Sequence, residues 1–70
     1  MDIRERVMNR IWSIGKQIEK NEATIKWAES LGLKDEDIVE ELRIKTNLLR
    51  SRRAELSDML CETYGIDYPA

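Results

Sequence analysis

The stretch Ala28-Glu29-Ser30-Leu31-Gly32-Leu33-Lys34-Asp35-Glu36-Asp37 stops one helix and starts another. Gly32 is free to take the left-handed conformation that ends a helix, and Ala28 and Leu33 stand where the hydrophobic contact of a Schellman motif lies. Lys34 then leads into an acidic first turn suited to the positive end of a helix dipole. Asp35 or Asp37 is expected to cap the second helix, and the spacing of Asp37 and Glu40 allows a capping box.

On either side of this turn the apolar residues follow a helical rhythm. Val7, Ile11, Ile14, Ile18, Ile25 and Ala28 recur at alternating steps of four and three, interrupted only by Asn21. Val39, Leu42, Leu49, Leu56 and Leu60 repeat the pattern, with Thr46 and Arg53 as the polar interruptions. Each seam runs for about four heptads, so the expected fold is all-α: an antiparallel two-helix hairpin of coiled-coil type. The boundaries are helix one at about 2–31, a turn at about 32–35, helix two at about 36–64 and a tail over 65–70, all in one domain. Gly65 is expected to stop helix two as Gly32 stops helix one, with Ile66 able to touch Cys61.

Folding the chain back about Gly32 tests the register, because facing residues of antiparallel helices carry numbers of constant sum. Val7 then meets Leu60, Ile11 meets Leu56, Ile14 meets Arg53, Ile18 meets Leu49, Asn21 meets Thr46, Ile25 meets Leu42 and Ala28 meets Val39. Only the Ile14 layer sets an apolar residue against a charge. A hydrogen-bonded Asn21–Thr46 pair would pin the register, being costly in any other alignment. Glu22 is expected near Arg43. Arg53 can pack its stem beside Gly15 and turn its head outward.

Composition bounds the function. A 70-residue domain buries only about 60% of its unfolded surface, so a second copy or a partner is expected. With 14 acidic and 12 basic residues, the net charge of −2 provides no overall attraction to nucleic acid or anionic membrane. The charged N-terminal stretch Met1-Asp2-Ile3-Arg4-Glu5-Arg6 lacks a signal peptide, and no apolar run approaches the ~20 residues of a membrane span. A single cysteine and no histidine exclude an internal disulfide and the usual zinc and Cys-His arrangements, and they suit a reducing cytoplasm. The chain is expected to be complete and cytoplasmic, of a size suiting a bacterial or phage open reading frame.

No phosphate loop, nucleophile elbow or metal-ligand cluster is present, and the carboxylates fall on exposed helical positions. An enzyme is therefore the least favoured class, and no catalytic residue, cofactor, metal or small-molecule substrate is expected. The basic run Leu49-Arg50-Ser51-Arg52-Arg53, with Arg43 and Lys45, is an alternative nucleic-acid contact through Arg43, Lys45, Arg50 and Arg52. Helical spacing spreads those cations, which favours solvated faces or ion pairing.

The apolar residues left over after the seam is filled point to protein contacts. Met8, Trp12 and Gly15 on helix one, with Ala54, Ser57 and Cys61 on helix two, form a flat edge suited to self-association, as in a homodimeric four-helix bundle. Cys61 is expected to be a small buried hydrophobe rather than a reactive thiol. Gly15, costing about 1 kcal/mol against alanine inside a helix, argues for a close approach by Arg53, Trp12 or another subunit. Near the turn, Trp27, Leu31, Ile38, Ile44 and Leu48 lie outside the seam and are the expected site for a larger protein. The expected function is a small regulator or inhibitor that occupies a surface of that protein.

Ile18, Ile25, Ala28, Gly32-Leu33 and Ile38 together resemble the turn region of the small sporulation phosphatase hairpins that act on response regulators. Where that family carries Ser-Gln-Glu-Leu-Asp, this chain reads Leu42-Arg43-Ile44-Lys45-Thr46, so the likeness implies architecture and not activity. The layout is also similar to plasmid copy-number hairpins that dimerise and bind paired RNA loops, with no shared motif.

Overall fold

The computed structural model describes residues 2–33 and 36–66, which form helix α1 (Ile3–Ser30) and helix α2 (Asp37–Tyr64) packed as a hairpin. At 1.5 Å per residue each 28-residue helix spans about 42 Å, close to the 45 Å long axis of the molecule. The other axes are 17 and 16 Å, and the described residues form one helix pair with no third layer over its outer faces.

The buried side is the seam. Ile11, Ile14, Ile18, Ala28, Val39, Leu56 and Leu60 are buried, and every remaining seam residue is buried or half-buried. Ile11, Ile14, Ile18, Leu56 and Leu60 form one cluster, against which Val7, Met8, Leu49 and Ile66 pack. Alternating steps of four and three hold one stripe of each helix toward its neighbour, which is why burial follows the heptad.

The turn closes as the Gly32 reading requires. Gly32 takes φ of 78°, its N–H donates to the Glu29 carbonyl at 3.0 Å, and the Leu33 N–H donates to the Ala28 carbonyl at 3.0 Å. These are the two bonds of a Schellman motif. The α2 start differs from expectation. Glu36 is the N-cap and makes no side-chain cap bond, and Asp37 is already the first helical residue, so it cannot close a capping box with Glu40. Asp35, the other proposed cap, lies outside the described residues, as does the tail beyond Ile66.

Gly65 ends α2 with φ of 68°, its N–H directed at the Cys61 carbonyl at 2.9 Å and at that of Leu60, without the Schellman pair seen at Gly32. The left-handed step carries Ile66 back over the open end of the seam, where its N–H reaches the Leu60 carbonyl at 3.3 Å and its side chain joins the core cluster. At the same end Asp2 caps α1 through the Arg4 N–H at 3.1 Å, and the Arg4 guanidinium sits 5.9 Å from the Tyr64 ring centroid. The Arg4 side-chain hydrogen bond holds the exposed Asp2 carboxyl below the usual carboxylate range.

Two seam layers behave differently from their sequence reading. Asn21 and Thr46 are both buried, yet each is satisfied within its own helix. The Gln17 amide donates to Asn21 Oδ1 at 2.8 Å, and Thr46 Oγ1 donates to the Leu42 carbonyl at 2.7 Å. A local partner at i−4 is always in reach, so no cross-helix bond is needed to avoid an orphaned polar group. In the Ile14 layer, Arg53 is half-buried and its Nε is buried with no hydrogen-bond partner.

Gly15 faces that guanidinium loosely. A Cβ at Gly15 would stand 3.8 Å from Arg53 Nη1, which is ordinary van der Waals contact, so the close approach inferred for this glycine is not made within the chain. With helical φ and room for a methyl, Gly15→Ala is expected to raise stability by about 0.5–1 kcal/mol, read as a higher thermal midpoint. An unchanged or lower midpoint would mean that the methyl is not accommodated.

Candidate interaction surfaces

Outside the seam the hairpin has two long edges, and they differ. On one, Glu22 bonds Arg50 and Glu29 bonds Arg43 at 3.0 Å, two cross-helix ion pairs one heptad apart. Glu22 therefore does not pair with Arg43 as expected. The partner lies one heptad further along α2, because helical side chains lean toward their own N-terminus, and in an antiparallel pair that brings Glu22 and Arg50 toward each other. These pairs are partly exposed and contribute up to about 1 kcal/mol each. Met8, Gly15 and Ser57 continue this paired edge toward the open end, and all three are half-buried.

On the opposite edge Ile3, Arg10, Gln17 and Thr24 of α1 stand along Ile38, Lys45, Arg52 and Met59 of α2, and every one of these residues is exposed. Gln17, Lys45 and Arg52 line one groove together. No acid and base oppose each other there. Three open grooves follow one another along this edge, while another of about 300 Å³ opens on the paired edge between Glu22, Lys26, Arg43 and Arg50. The first, of about 390 Å³, is lined by Ile3, Arg6, Val7, Arg10 and Leu56. The second, of about 600 Å³, has Leu42, Leu48 and Leu49 beneath Gln17, Lys45 and Arg52. The third, of about 210 Å³, brings Trp27, Leu33 and Ile38 together over Ala28, Val39 and Leu42 at the turn end.

The proposed partner-binding residues divide accordingly. Trp27 is 65% exposed and Ile38 74% exposed, and they share the apolar groove by the turn. Leu48, 64% exposed, lines the next groove on the same edge. Leu31 and Ile44 are exposed but line none of these grooves, Ile44 projecting from the outer face of α2. Leu33 is a member that sequence reading used only as part of the Schellman contact. Its 40% exposure beside Trp27 follows from the turn geometry rather than from any periodicity.

The self-association set keeps to the paired edge, with one correction. Cys61 is exposed and not buried. Its position is one step outward from the half-buried row that contains Ser57, and with only two helices nothing described covers it. Trp12 is 60% exposed, and the Lys16 ammonium lies 5.4 Å from its ring centroid; Ala54 is exposed as well. The four proposed nucleic-acid contacts are split between edges, Arg43 and Arg50 being engaged by carboxylates on one while Lys45 and Arg52 face away on the other.

No helix is long and apolar enough to cross a membrane, and the described residues contain no group of His, Cys, Asp and Glu able to hold a metal ion. No protein-family model matches the chain, and no curated protein or solved structure matches it either.

Proposed function

We propose that this hairpin is a non-enzymatic interaction module that docks a larger protein on its turn end and acts as a regulator or inhibitor by occupying that protein's surface. The observation that carries the reading is the Trp27–Ile38 groove. A tryptophan 65% exposed and an isoleucine 74% exposed line one apolar depression that the two-helix core does not use. Buried aromatic anchors dominate the energetics of interfaces, and apolar surface of this kind is otherwise costly in water. The exposed thiol of Cys61 suits the reducing conditions of a cytoplasm.

The same proposal includes a homodimer, built on the edge of Met8, Trp12, Gly15, Ala54, Ser57 and Cys61. Met8, Gly15 and Ser57 are half-buried along one edge, and the exposed Trp12, Ala54 and Cys61 stand beside them as the surface a second copy would cover. Nucleic-acid binding remains the second reading, and the neutralisation of Arg43 and Arg50 by Glu29 and Glu22 weighs against it.

Trp27→Ala tests the proposal. Its circular dichroism and melting are expected to stay near wild type, because the side chain lies outside the core. Partner binding should weaken at least tenfold, about 1.4 kcal/mol. Capture from host lysate after nuclease treatment, wild type beside variant, reads the outcome. Unfolding of Trp27→Ala, or loss of all captured material on nuclease treatment of the wild type, would sink it.

A further inference from the structure

We propose that the grooved edge binds an acidic amphipathic helix, laid along the hairpin as a third helix with its apolar stripe in the grooves and carboxylates on both flanks. The proposal rests on the protein-docking reading and names the chemistry of the partner. Its first support is continuity. The three grooves occupy one edge from Ile3 to Leu33, and their apolar linings combine the seam residues Val7, Leu42, Leu49 and Leu56 with the exposed Trp27 and Leu48 beside them. A molecule 45 Å long offers a helix about 30 residues of track at 1.5 Å each.

Charge complementarity is the second support. The cations Arg6 and Arg10 rim the grooves from α1, and Lys45 and Arg52 rim them from α2, while no carboxylate lines any of the three. Among the described residues Arg6, Arg10 and Lys45 have no ion pair, and Arg52 has only the exposed Glu55 carboxylate at 3.5 Å. The other edge serves as an internal contrast, since there every cross-helix cation of the middle heptads meets an acid from α1. On the grooved edge Arg6 and Arg10 line one groove and Lys45 and Arg52 the next, with no carboxylate in either lining. A helix with acids on both flanks would satisfy both walls together, as e and g residues do in coiled coils.

The shape selects against other anionic partners. Leu56 is buried and Leu49 half-buried at the bottom of the grooves, where side-chain knobs of a helix can reach them and a flat lipid surface would meet only Trp27, Leu48 and Ile38. Phosphates would meet the rim cations but leave the aliphatic floor uncovered, and Trp27 is the one aromatic that lines these grooves for a base to stack on.

The test uses the full chain and two labelled synthetic helices of about four heptads, with Leu at a and d. One carries Glu at e and g, the other Lys. Fluorescence anisotropy is expected to show binding of the Glu helix, at least tenfold weaker binding of the Lys helix, and loss of the difference at high salt. In Arg10→Glu/Lys45→Glu, both exposed residues, the preference should reverse with the circular dichroism unchanged. Equal binding of the two helices, or no binding of either, overturns the proposal. So does an anionic vesicle or a single-stranded oligonucleotide that displaces the Glu helix from these cations in preference to it. Charge-blind binding that Trp27→Ala abolishes would overturn the acidic-helix inference while leaving protein docking at the turn intact.

Discussion

Leu60→Ala is expected to lower stability by about 2–5 kcal/mol, the range for emptying a leucine site in a packed core. Leu60 has 0% exposure and is the largest side chain buried to that degree, enclosed by its seam partners and by the returning Ile66. At roughly 0.05–0.15 kcal/mol per residue, a chain of this length has about 3–10 kcal/mol in total, so the substitution removes much or all of it. The thermal midpoint should fall by some tens of degrees, given about 4–8 °C per kcal/mol in a domain of this size. Ile38→Ala supplies the contrast. At 74% exposure it should change stability by less than about 0.5 kcal/mol. Similar losses at the two sites would show that burial in the hairpin seam does not set stability, and that Ile38 is covered in the folded protein.

Arg53→Leu should act in the opposite direction and stabilise the hairpin by about 1–3 kcal/mol, the cost of a buried polar atom with no bond. The Nε of Arg53 is buried and unpartnered in the layer it shares with Ile14. Leucine keeps the stem that packs in the seam, removes the orphaned donor and restores an apolar layer where the heptad places one. Thermal and urea melts of the variant read the gain. A loss of stability would mean that the guanidinium makes contacts worth more than the desolvation it suffers, and would argue that Arg53 is held by an assembled partner.

Local chemistry and periodicity, both properties of the chain itself, determined that this is a hairpin and which stripe of each helix is buried. The stop at Gly32 is a backbone matter settled by one residue's freedom to take positive φ, and the four-three spacing aims Val7 to Ala28 at Val39 to Leu60 without reference to anything else. For the same reason Trp27 was legible as a surface residue: helical geometry alone turns it away from the seam. What lay beyond the sequence is everything that depends on how far a side chain reaches and what stands across from it. Glu22 meets Arg50 rather than Arg43, Asn21 and Thr46 bond within their own helices, and Ile66 returns over Leu60. Cys61 is exposed because the two described helices offer no third surface over its face. The division into one edge whose groove is rimmed by ion pairs and one whose grooves are rimmed by cations without carboxylates is likewise a tertiary property. It arises because the docked helices set Glu22 and Glu29 against arginines on one side while bringing Arg6 and Arg10 of α1 and Lys45 and Arg52 of α2 to the other, an arrangement that no single helix contains.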